Sequence, residues 1–373
     1  MKKITLSFLI HLTFYQISAQ CNDRYLSEIF LNVDKTENIF YAPEAYPSSS
    51  KHIMDVYTPS NDIEDNRPLI LYLHGGSFYA GSKDLVDCQD FCTNMARRGY
   101  VTASLNYRLS SPTLFLLSAT EQYQTVLEAV SDIKAAIRFF RKDYATNNNS
   151  FGIDPNTIFI GGYSAGAVLA IHLAYIDNIS DLPISPINVQ GLVNSIGGDL
   201  EGDGGNYGYS SECQGVISFA GGINDVSWID NNDEPLVSVQ GTADLTVNYN
   251  CGPGQNIPSV LTLCGSGEMH QQADNMGLIN DKLIFNNVDH SWAASGAQDS
   301  RFNQAVNFTA DFLYPLLPCN QSTNTFELNK KSKYVIKKVN ILGQDSKSSL
   351  NYPMFYIYND GSVEKKVMLQ INN

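Results

Sequence analysis

Basic side chains are scarce in this sequence: 24 Lys and Arg stand against 38 Asp and Glu over 373 residues, a formal charge of −14. Binding nucleic acid or an anionic membrane surface requires clustered Lys and Arg, so neither partner is expected and the acidity reads as solubility. After residue 20 no apolar run is long enough to span a bilayer, which argues against membrane insertion of the body of the chain. No CxxC pair and no cluster of histidines is present, so the usual zinc patterns are missing. No internal repeat is evident. Histidine is rare, six residues in all, so any constellation that needs an imidazole has few candidates.

What is present begins with a leader. Residues 1–19 carry Lys2 and Lys3, an apolar stretch and then Ile17-Ser18-Ala19, the layout of a secretory signal peptide cut after Ala19. Gln20 occupies the position where a lipobox needs a small residue, which disfavours lipid attachment at Cys21. Seven cysteines in an exported chain point to disulfides with one left over. The locally plausible pairs are Cys88 with Cys92 and Cys251 with Cys264.

From Asp55 onward short apolar runs ("PLILYLHGG", "YVTASLNYRL", "NTIFIGGYSAG") alternate with amphipathic stretches. That alternation predicts an α/β fold, a mostly parallel sheet flanked by helices. In "YQTVLEAVSDIKAAIRFFRKDY" the residues Val126, Val130, Ile133, Ile137 and Phe140 recur at helical spacing, which leaves Glu128, Asp132, Lys134 and Arg138 for a solvated face. "GGDLEGDGGNYGYSSECQG" is too rich in glycine for a packed element and is expected as a loop near the site entrance. Composition changes at Pro318. Residues 20–318 form the expected catalytic domain, 319–332 a polar linker, and 333–373 a short all-β module whose strands flank an Asn359-Asp360-Gly361 turn.

The stretch "GGYSAGA" places Ser164 between Gly162 and Gly166 directly after an apolar run, the G-x-S-x-G spacing of a nucleophile elbow. A serine hydroxyl needs an imidazole to take its proton and a carboxylate to fix that imidazole. The order serine, acid, histidine leaves His270 and His290. His270 sits in a polar helical pattern where a solvated side chain is expected, whereas His290 follows the strand "KLIFNNV", so His290 is the base. Asp244, just beyond the strand "PLVSVQG", is the acid; Asp289 adjoins His290 but should point away. Asp225, Asp230 and Asp233 form an acidic loop without regular calcium-ligand spacing and read as a solvated turn. "HGGSF" after a strand offers backbone N–H groups for an oxyanion, with Gly76, Ser77 and Ala165 as donors. Neither metal nor organic cofactor is needed.

"HGGSF", "GGYSAGA", "GTAD" and "DHSW" together resemble a secreted carboxylesterase of the α/β-hydrolase superfamily, near its carboxylesterase and hormone-sensitive-lipase-like branches. The resemblance implies hydrolysis of carboxylic esters through an acyl-serine intermediate on Ser164, with Asp244 and His290 completing the triad. It departs from the pattern at Ser77, where a third glycine is usual, and in the long cysteine-bearing interval between Asp244 and His290. Feruloyl, acetylated-glycan and polyester substrates stay open, as do a serine peptidase on the same fold and a catalytically silent binding or adhesion protein. The tail, "KKVNILGQ" with "MFYIYNDGSVEKKVML", resembles the C-terminal sorting domain of the type IX secretion system. This implies the secretion machinery as a partner and a secreted or cell-surface location reached through the periplasm.

Overall fold

The computed structural model describes residues 21, 23–46, 49–183, 187–320, 335–340, 353–358 and 363–367. The expected leader, residues 1–19, and most of the expected linker lie outside them. The chain separates into two compact units, residues 1–322 and 323–373.

The first unit is built on an eight-stranded sheet. In chain order its elements are β1 (Val33–Phe40), β2 (Ile53–Pro59), β3 (Arg67–Leu73), α1 (Val86–Arg97), β4 (Val101–Leu105), α2 (Pro112–Leu117), α3 (Ala119–Thr146), β5 (Ile153–Tyr163), α4 (Ala165–Tyr175), α5 (Val189–Ser195), β6 (Val216–Phe219), β7 (Leu236–Gly241), the short hairpin β8 (Cys251–Pro253) and β9 (Thr262–Cys264), α6 (Ser266–Met276), β10 (Asn280–Phe285) and α7 (Ser300–Leu313). The strand order is β1-β2-β4-β3-β5-β6-β7-β10. β1 and β2 run antiparallel at one edge, and every pair from β4 to β10 is parallel.

Alternation along the strands sorts side chains onto two faces. Leu69, Leu71 and Leu73 of β3 join one buried cluster with α3 and α4, while Ile70 and Tyr72 join another with α1 and α7. Both faces of the central strands are therefore covered, which is why these strands read as continuous apolar runs. α4 is buried along its whole length, since it sits against β5 and β6 and under α3.

The polar face of α3 is not solvated. Asp132 and Arg138 are buried, Lys134 is 8% exposed, and each has a partner. Asp132 binds Arg108 at 2.8 Å and His52 Nε2 at 3.0 Å. Lys134 and Arg138 bind Glu201 at 3.0 and 2.8 Å. Glu201 belongs to the glycine-rich loop, which also supplies Asp203 to Arg108 at 2.6 Å. The loop thus lies over α3 and is absent from the walls of the serine cavities described below, contrary to the expected place at the entrance. The acidic turn also differs from expectation at Asp233, which is 9% exposed and accepts from the Asp230 N–H at 2.7 Å.

Cys251 and Cys264 are bonded and staple β8 to β9. Cys88 and Cys92 are not: both are free thiols on the buried face of α1. Cys21 pairs instead with Cys319, 298 residues away, a contact no local spacing announces. Among the described residues no helix is long and apolar enough to cross a membrane. The second unit holds an antiparallel three-stranded sheet of β11 (Val335–Val339), β12 (Pro353–Tyr358) and β13 (Val363–Val367). The Asn359-Asp360-Gly361 turn lies outside the described residues.

Candidate active site

Ser164 is the single residue between β5 and α4. Its backbone sits at φ 56°, ψ −122°, a region a non-glycine residue occupies at a cost of about 1–3 kcal/mol. The surroundings over-determine it. Its N–H donates to the Phe219 carbonyl at 2.8 Å, and its own carbonyl accepts from Val168 at 3.0 Å. A Cβ on Gly162 would lie 2.5 Å from the Leu73 oxygen, and one on Gly166 would be pressed closer still against that same backbone. The two glycines of the motif are there so that β3 can pass against the elbow.

His290 opens a short 3₁₀ turn, residues His290–Ala293, beyond the end of β10. Asp289 accepts from the Ser291 N–H at 3.0 Å and hydroxyl at 2.7 Å, so its carboxylate caps the turn rather than meeting the imidazole. Asp244 follows β7. Its Oδ1 accepts from the Thr246 and Val247 N–H groups, each at 2.9 Å, which leaves Oδ2 for His290 Nδ1 at 2.7 Å. With that carboxylate as acceptor, Nδ1 carries the proton and Nε2 presents a lone pair. Nε2 lies 2.7 Å from Ser164 Oγ. The structure therefore brings Ser164, His290 and Asp244 into one chain of hydrogen bonds, from three loops at the same end of three parallel strands.

Tyr163 clamps this chain from the side. Its hydroxyl donates to the His290 carbonyl at 2.8 Å, and its ring stacks on the imidazole with centroids 5.3 Å apart. Burial, then the nearby Asp87 and Asp244 charges, push the Tyr163 phenol up, so it stays a donor. His270, the other candidate base, lies on α6. It is 1% exposed, bonded through Nδ1 to Asn280 Oδ1, and lowered by burial to about 4. It is a neutral core side chain, not the solvated one its polar neighbours suggested.

The loop after β3 runs through three consecutive positive φ values, Gly76 at 124°, Ser77 at 56° and Phe78 at 67°. Its shape is held by His74, whose Nδ1–H donates to the Gly75 carbonyl at 2.6 Å. The ring stacks on Tyr107, and the Tyr107 hydroxyl reaches the His74 carbonyl at 2.6 Å. Burial lowers His74 to about 4, which keeps it neutral. Neither the Gly76 nor the Ser77 N–H has a hydrogen-bond acceptor among the described residues. Ala165 opens α4, so its N–H has no acceptor within the helix.

Two spaces meet at Ser164. One is a cavity of about 530 Å³ with a mixed wall that includes Gly76, Ser77, Asp87, Gln255 and His290 beside Leu85 and Ala294. The other is a slot of about 30 Å³ between Phe78, Phe115, Val168, Val260 and Leu263. Sequence reading placed His74 and Tyr163 inside the donor-loop and elbow motifs without giving either a role, and it missed Asp87, which no motif marks.

Among solved structures, a truncated carbohydrate esterase from gut microbiota superposes with a TM-score of 0.53 at 19% identity, covering 77% of this chain and 98% of that one. The fold is that of the α/β-hydrolases. Thermogutta terrifontis esterase 2 phosphorylated by paraoxon gives 0.52 at 19% identity, covering 77% and 95%. Residues 54–221 match the BD-FAE family model. Carboxylesterase 20 of Arabidopsis thaliana is 32% identical over 147 residues, 37% of this chain and 41% of that protein. The para-nitrobenzyl esterase of Bacillus subtilis is 34% identical over 119 residues, 31% and 22% of the two chains. The chain thus spans less than half the length of the curated relatives it matches.

Proposed function

We propose that this α/β-hydrolase is an exported serine esterase that hydrolyses carboxylic esters. The observation that carries the reading is the imidazole of His290, placed 2.7 Å from both the Ser164 hydroxyl and the Asp244 carboxylate. His290 Nε2 takes the Ser164 proton as Oγ attacks the ester carbonyl, and Asp244 stabilises the imidazolium that forms. The Gly76, Ser77 and Ala165 N–H groups receive the oxyanion. Collapse of the tetrahedral intermediate breaks the bond to the alcohol oxygen, which leaves with the proton from His290. Water, deprotonated by the same imidazole, then releases the acid and restores Ser164.

Relatives named as a carboxylesterase and a para-nitrobenzyl esterase support ester over amide substrates. The export half of the proposal rests on the leader at residues 1–19 and on the tail motifs at 333–373, with the type IX machinery as partner. The test is Ser164→Ala. The folded variant should lose about 10⁴-fold or more in kcat on small acyl esters, and an organophosphonate should label wild type at Ser164 alone. Faster turnover of peptide amides than of esters would move the protein to the peptidases. Separately, a chain ending before residue 333 should stay active yet remain in the cell envelope; its normal secretion would remove the sorting role.

A further inference from the structure

One acidic residue of the cavity has no part in acyl transfer. Asp87 is the second residue of α1 and is 2% exposed, and it forms part of the wall of the 530 Å³ cavity that holds Ser164 and His290. A carboxyl so buried ordinarily pairs with a cation. This one has no ion pair among the described residues. It accepts from the Cys88 thiol at 3.9 Å, and the backbone N–H groups of Asp87 and Cys88 favour its ionised form. The titratable groups that interact with it, Tyr72, Tyr107, Tyr163, Cys88, Cys92 and Asp90, bring no positive charge, and His290 in the same cavity is engaged by Ser164 and Asp244. Burial, opposed by those amides, pushes it up to about 7. Among the described residues nothing else meets its remaining acceptor capacity, which leaves it for a molecule in the cavity it lines.

The two spaces at Ser164 differ in chemistry, and this decides which half of an ester meets Asp87. The narrow slot between Phe78, Phe115 and Leu263 suits a hydrocarbon acyl chain. Gln255 and Thr246 border both spaces, and the wider cavity alone adds the carboxyl of Asp87, so there a hydroxylated group can exchange its hydrogen bonds to water for bonds to protein. Resting on the esterase reading above, we infer that Asp87 selects the alcohol half of the substrate by accepting a hydrogen bond from a hydroxyl close to the ester oxygen, so that esters of polyols are preferred over esters of simple alcohols.

The test compares glycerol 1-monobutyrate with propyl butyrate, which share the acyl group and differ by two hydroxyls. Wild type should favour the glycerol ester in kcat/KM. Asp87→Leu should cut that preference by roughly tenfold or more, since a site built to bond a hydroxyl discriminates strongly against its absence. Asp87→Asn keeps the shape and an acceptor oxygen, so it should lose less. If Asp87→Leu does not fold, the ratio in Asp87→Asn decides: a fall supports the assignment, and an unchanged ratio overturns it. Equal loss on both esters would mark a purely structural acid and overturn the assignment, as would the absence of any preference in wild type. If neither ester is hydrolysed and a phosphonate fails to label Ser164, the esterase reading falls with it; labelling and turnover without a change in preference removes Asp87 alone.

Discussion

Asp244 has no slack in its role, since one oxygen is held by two backbone amides and the other by the imidazole. Asp244→Asn would present an amide that can steer Nδ1 into the wrong tautomer, and kcat should fall about 10³–10⁴-fold, measured on any accepted ester. Tyr163→Phe removes only the hydroxyl that fixes the His290 carbonyl while leaving the stacked ring. A drop of about tenfold in kcat with little change in KM is expected, because the imidazole keeps its other two partners; a rise in KM alone would show that Tyr163 serves substrate binding instead. Ser164, Asp244 and His290 were legible because chain order and strand ends constrain them. Asp87, the hold of His74 on its loop and the clamp by Tyr163 were not, because each depends on which side chains the packing brings together, and a sequence states only neighbours along the chain.

Among elements, the elbow rests on close backbone contact between β3 and α4. Gly166→Ala would drive a methyl group into the Leu73 and His74 carbonyls, so β3 and α4 would have to separate. The expected result is loss of soluble protein, or a melting temperature lowered by many degrees, with the survivors inactive. The polar face of α3 gives a second case. Asp132→Ala would leave His52 Nε2 without its partner and Arg108 with Asp203 alone, at a cost of about 3 kcal/mol, readable in denaturant melts without any change at Ser164, His290 or Asp244. Helical periodicity located the apolar stripe of α3 correctly, but it could not show that a glycine-rich loop 63 to 67 residues on supplies counter-charges to the opposite side. Strand β1 was also unread: its side chains are mostly exposed at the sheet edge, so "VDKTENIF" carries no apolar alternation.

At the scale of the whole molecule, buried ionisable groups set how stability follows pH. Asp87, Asp233 and Glu234 are each pushed up to about 7 by burial, against about 4 in an unfolded chain. As pH falls from 8 through 7 the folded state takes up protons that the unfolded state does not, so stability rises. Below about 6.5 the sign reverses for His74 and His270. Both are held near 4 in the fold, and their unfolded imidazoles protonate first. Melting temperature should therefore climb from pH 8 to about 6.5 and more gently below it, because the two histidines offset only part of the three carboxyls, and Asp233→Asn should flatten the upper limb in calorimetry. A monotonic rise toward pH 8 would contradict these burials.

The bond between Cys21 and Cys319 turns the polypeptide between them into a closed ring. A protease that severs a surface loop anywhere inside that ring produces a new pair of ends but no free fragment. The cut protein keeps its mass on a gel run without reductant and falls into two bands only when thiol is added. Where proteases are met, a ring tolerates one wound that an open chain would not.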